Sequence, residues 1–90
     1  MNKQTRKLLE ELNDKIAEIT QMVEDVKSEV ESIREEEQDK FDNMPEGLQA
    51  SEQGEKFEEV MGHLDDAIST LEESIDTLGG SVESIEEATN

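Results

Sequence analysis

An all-α fold is predicted for this chain: an antiparallel helical hairpin of coiled-coil type, with two hairpins joining as a four-helix bundle. Two apolar runs and the turn between them carry that prediction. The first run is Leu9, Leu12, Ile16, Ile19, Val23, Val26, Val30 and Ile33. The second is Phe57, Met61, Leu64, Ile68, Leu71, Ile75, Leu78, Val82 and Ile85. Both step by alternating threes and fours without a miss, the seam spacing that keeps one narrow stripe facing a partner helix.

The chain is one domain, residues 1–90. Its first helix spans about residues 3–40, where no Gly or Pro interrupts the pattern. Residues 41–51 form the turn. Pro45 disfavours a helical conformation at Met44 and can itself start a short helical turn. Ser51 is the expected N-cap of the second helix, with Glu52 and Glu55 near the positive end of its dipole. That helix runs from about residue 52 to at least 78. Gly79-Gly80 either ends it, with Gly79 as the C-terminal cap, or is passed through to about residue 88. Val82 and Ile85 stay in register beyond the glycines and favour continuation.

Folding the runs together antiparallel, with Ile33 beside Met61, matches every layer. Val30 meets Leu64, Val26 meets Ile68, Val23 meets Leu71, Ile19 meets Ile75, Ile16 meets Leu78, Leu12 meets Val82 and Leu9 meets Ile85. The chain then reverses at Gly47, inside the Pro-Gly turn. On one edge the facing e positions are Arg6 and Glu86, Asn13 and Gly79, Thr20 and Glu72, Lys27 and Asp65, Arg34 and Glu58. Three of these are opposite-charge pairs and none is a like-charge pair, which specifies orientation more than it adds stability.

The other edge is the candidate self-association surface. Helix 1 places Leu8, Lys15, Met22, Glu29 and Glu36 there. Helix 2 places Val60, Ala67, Ser74, Ser81 and Ala88, all small or apolar. A lone hairpin has a thin core. Apolar burial at about 25 cal/mol per Å2 barely offsets the ordering entropy of such a chain. A homodimer is therefore expected through Leu8, Met22 and the small column. A marginal monomer or the docking of a foreign partner are the alternatives. At the tip, Phe41, Met44, Leu48 and Phe57 are placed to cluster as an apolar plug over the last seam layer.

Charged residues make up 38% of the chain and the net charge is −18. It is uneven: residues 1–42 carry seven bases and 13 acids, residues 43–90 carry Lys56 alone against another 13. Such a surface repels nucleic acid and anionic membranes and attracts basic protein surfaces. No apolar run approaches the ~18 residues of a membrane span. Cysteine is absent, which fits a reducing cytoplasm and removes thiolate metal sites.

No catalytic constellation can be built. His63 is the only histidine and falls at an outward position. Carboxylate di-metal helices need an inward Glu-x-x-His, and Val60 stands three residues before His63. The stretch from Asp42 to Gln53 matches a calcium loop at its first position and at Gly47, but Met44, Pro45 and Gln53 break the pattern. Neither enzyme activity, cofactor nor metal is expected. What remains is a row of acids on helix 2: Glu58, Glu59, Asp65, Asp66, Glu72, Glu73, Asp76, Glu83, Glu86 and Glu87. At a 1.5 Å rise these fall about one per 4–5 Å, against a charge every ~1.7 Å of duplex DNA.

The turn Asp42-Asn43-Met44-Pro45-Glu46-Gly47-Leu48-Gln49, followed by Ser51 and Glu52, resembles a segment that recurs in small acidic phage and prophage helical-hairpin proteins. The resemblance covers the turn closely and the helices by type, and it transfers no site residues. It implies a phage origin and action in the cytoplasm of a bacterial host. Short acidic phage proteins of this kind suggest counter-defence by nucleic-acid mimicry, as in anti-CRISPR or anti-restriction inhibitors. On that reading the acid row engages the basic surface of a host nucleic-acid-binding protein. The alternative is a structural coiled-coil adaptor in phage assembly or regulation.

Overall fold

Asn2 starts the first helix: its side-chain oxygen accepts a 2.8 Å hydrogen bond from the Thr5 backbone N–H, satisfying one of the free donors of the first turn. The computed structural model describes residues 1–90. Helix α1 spans Lys3–Asp42, a short α2 spans Glu46–Gln49, and α3 spans Glu52–Thr89. No strand is present. α1 and α3 lie side by side as a rod of 68 × 15 × 13 Å, close to the ~60 Å that 40 helical residues must span. α3 passes through Gly79-Gly80 without a break, and neither glycine has a positive φ. The continuous apolar register on both sides holds these glycines helical against their propensity.

The tip is tied by hydrogen bonds. Gln49 donates its side-chain amide to the Phe41 carbonyl at 2.9 Å, and the Met44 N–H donates to the same carbonyl at 3.1 Å. Pro45 sits just before α2 at φ −56°, and its carbonyl accepts from the Leu48 and Gln49 N–H groups. Ser51 differs from its expected role. It occupies the cap position of α3 with extended backbone, but its hydroxyl donates back to the Leu48 carbonyl and makes no side-chain cap to α3. The end of α2 competes for that hydroxyl and takes it.

Gly54 is one of only two buried residues. A Cβ there would collide with the Gln49 carbonyl and would stand 2.7 Å from the Leu48 oxygen, both backbone atoms that cannot swing aside. A Cβ at Gly79 or Gly80 meets nothing within 4 Å. These glycines should therefore respond oppositely to alanine. Gly54→Ala should lower stability by about 2–3 kcal/mol. Gly79→Ala and Gly80→Ala should each raise it by about 1 kcal/mol, or roughly 4–8 °C in melting temperature. Thermal unfolding followed by circular dichroism reads both, and an unchanged melting temperature for Gly54→Ala would refute the close approach of α2.

The interface between the long helices is rolled from the one expected. Along α1 from Leu9 to Arg34 the half-buried residues are Leu9, Ile16, Val23 and Val30 together with Asn13, Thr20, Lys27 and Arg34. The seam residues Leu12, Ile19, Val26 and Ile33 are 47–49% exposed. α1 thus meets α3 through its a and e positions, a roll of about 50° from an a/d face at 100° per residue. In α3 the whole seam from Phe57 to Ile85 is buried or half-buried. Met61, at 6% exposure, is the only buried apolar side chain of the chain.

The cross-helix ion pairs are also displaced from those expected. Lys27 meets Glu72 at 3.6 Å rather than Asp65, and Arg34 meets Asp65 at 2.8 Å rather than Glu58. Arg6 makes no ion pair with Glu86, and the Thr20 hydroxyl donates to its own Ile16 carbonyl. Helical side chains lean toward their own N-terminus. Across an antiparallel pair that lean favours the partner one heptad further along, so the pairs shift while the backbone register need not. Asn13 donates to the Val82 carbonyl at 3.3 Å, at the level where the seam places Leu12 beside Val82. The Asn13 side-chain oxygen is buried without a partner.

Candidate functional site

Two surfaces are left by this packing: an acidic one on α3 and an apolar one on α1. The acidic surface is built by helical spacing alone. Glu58, Glu59, Asp65, Asp66, Glu72, Glu73, Asp76, Glu83, Glu86 and Glu87 are all exposed. They recur in pairs because the seam occupies every third or fourth position and leaves the same outward positions free. Asp65 and Glu72 are partly neutralised by Arg34 and Lys27. The hydrogen bond to Asp65 raises the Arg34 pKa above the ordinary arginine value. The other eight carboxylates of the row make no ion pair. They form a fixed anionic array on a rigid helix.

The acids are confined to one side of α3. Its opposite side carries Lys56, Val60, His63, Ala67, Thr70, Ser74, Thr77, Ser81, Ser84 and Ala88, with no carboxylate among them. The hydroxyls of Thr70, Ser74, Thr77 and Ser81 each donate to the carbonyl four residues earlier, at 2.9–3.3 Å. Their donors are satisfied inside the helix, so covering these four hydroxyls strands no donor.

The apolar surface combines predicted and unpredicted residues. Leu8 is 53% exposed, Met22 65% and Val60 46%; Ala67, Ser81 and Ala88 are exposed and Ser74 is half-buried. The periodicity of the sequence assigned Leu12, Ile19, Val26 and Ile33 to the hairpin seam, yet they open beside Leu8 and Met22. Together they make one apolar stripe along α1. The detectable signal was the apolar character of Leu8 and Met22 next to that row.

At the tip, Phe41, Met44 and Phe57 are half-buried, while Leu48 is 43% exposed. Leu48 belongs to α2, whose outer side faces solvent. His63 is exposed, and no group of three histidine or carboxylate side chains converges as a metal site. No helix is long and apolar enough to cross a membrane. A groove between α1 and α3 is lined mainly by charged residues, Glu24, Lys27, Glu31, Glu72 and Asp76. No family model, curated protein or solved structure matches the chain.

Proposed function

We propose that the chain is a non-enzymatic binding protein that presents the carboxylate row of α3 to the basic surface of a nucleic-acid-binding protein. The observation that carries this reading is the array itself: ten exposed acids on one face of one helix, with Lys56 the only base in the second half of the chain. One acid per ~4–5 Å of axis approaches the ~3.4 Å charge spacing of a single DNA strand. A basic cleft built for a phosphate backbone would accept such a rod and be closed by it. The likeness of the turn to phage and prophage proteins supports a defence protein of a bacterial host as the target, as for an anti-CRISPR or anti-restriction inhibitor. Action in the bacterial cytoplasm belongs to the same reading.

The working unit in this proposal is a homodimer forming a four-helix bundle. A chain with one buried apolar side chain has little of its own to offset the entropy of ordering. A second reading, a structural adaptor, is favoured by the open apolar stripe of α1. In that case a partner docks on the stripe, and the acids keep the rod soluble.

Capture from a bacterial lysate on the immobilised chain separates the two. Under the proposal, the captured protein is released by duplex DNA and by raising salt from about 0.1 to about 0.5 M. Retention through both treatments would favour the adaptor.

A further inference from the structure

We infer how the two copies are arranged: α1 of each hairpin packs against α3 of the other, the two-fold axis runs along the rod, and both turns lie at the same end. This rests on the dimer proposed above and adds its geometry.

The surface to be covered is measurable. The chain exposes 6656 Å2, whereas a compact monomer of its mass exposes about 5,300 Å2. The excess, roughly 1,300 Å2 per chain, falls within the range that an obligate homodimer buries on each side. The half-exposed row of Leu12, Ile19, Val26 and Ile33 is the part of the seam that the hairpin itself leaves open.

Charge decides which edges meet. Beside its apolar row, α1 carries Glu11, Glu18, Asp25, Glu29, Glu36 and Asp39 against Lys15 alone. The corresponding edge of α3 carries no acid, and its charged or titratable residues are Lys56 and His63. Joining like edges, α1 to α1 and α3 to α3, would set acid against acid along α1. Joining unlike edges sets the acidic edge of α1 against the acid-free edge of α3. Lys56, which makes no ion pair within the hairpin, then stands opposite Glu36 and Asp39 of the partner.

Size agrees with charge. An axis along the rod keeps residues of equal height together, so the hairpin register also governs the contact between copies. Leu8 then faces the partner's Ala88, Met22 faces Ser74, and Glu29 faces Ala67. Lys15 likewise faces Ser81, so four of the five long α1 side chains on this edge meet a small residue, and Glu36 meets Val60. Every hairpin layer meets its own copy in the core; Ile19 and Ile75 join the same two residues of the partner. The contact is isologous and closes. The two α3 helices sit diagonally across the bundle, the widest separation available to them, and their acid rows face opposite sides.

Cysteine cross-linking tests the arrangement, because the chain has no thiol of its own. Met22→Cys and Ser74→Cys are made as separate single variants, mixed after unfolding and refolding, and bridged with a short bis-maleimide. The expected result is a covalent dimer from the mixture and none from either variant alone. A covalent dimer from Met22→Cys alone would mean that α1 packs on α1, and from Ser74→Cys alone that α3 packs on α3; either overturns the arrangement. No cross-link at all from a chain of dimer mass in solution would also overturn it and leave the dimer standing. A chain of monomer mass would overturn both.

Discussion

Ile19→Lys should dissociate the protein and unfold it. In the isolated hairpin this side chain is 48% exposed. A substitution at such a site changes stability by about 0.5 kcal/mol or less, and lysine is the better helix former of the two residues. In the bundle the same position lies in a core layer with Ile75 and the same pair from the second copy. Two unpaired charges buried there cost roughly 6–10 kcal/mol per dimer, more than four orders of magnitude in association. Sedimentation and thermal unfolding therefore distinguish a solvated stripe from an interface with one substitution. Unchanged mass and melting temperature would mean that the stripe is a solvated face and not an interface.

The second large effect concerns binding. Replacing Glu59, Asp66, Glu73, Asp76, Glu83 and Glu87 by their amides removes six charges that make no ion pair within the chain. Asp65 and Glu72, which hold the hairpin register through Arg34 and Lys27, are left in place. The fold should persist and gain slightly from the lower self-repulsion. Affinity for a basic nucleic-acid-binding target should fall on the order of a thousandfold, with a shallower dependence on salt. Full retention of the captured protein by the amide variant, at unchanged salt dependence, would contradict nucleic-acid mimicry and favour docking on the apolar stripe.

The two long helices and the turn were legible in the sequence because each rests on local pattern: threes and fours for the helices, Pro45 for the reversal. Roll was not legible. Periodicity names a stripe, but whether α3 meets that stripe at its centre or its edge depends on what flanks it. Here Asn13, Lys27 and Arg34 draw α3 toward the e side and turn Leu12, Ile19, Val26 and Ile33 outward. The ion-pair partners were misplaced by one heptad for a related reason, since pairing by number ignores the lean of helical side chains. Gly54 carried no signal at all. Its requirement comes from α2 folding back over the first turn of α3, a contact between backbones that no side-chain pattern records.

The exposure of the ten acids on α3 was legible, because outward positions follow once the seam is known. In the proposed dimer, their confinement to one side of α3 leaves the opposite, acid-free side as the packing edge. The same spacing thus sets both the display and the scaffold that carries it.

The claim on which the rest depends is that a single hairpin does not complete the fold. Sedimentation equilibrium of the unmodified chain at micromolar concentration tests it most directly. The expected mass is twice the 10.2 kDa of one chain, with a melting temperature that rises with protein concentration. A species of 10.2 kDa that melts cooperatively at a concentration-independent temperature would contradict it.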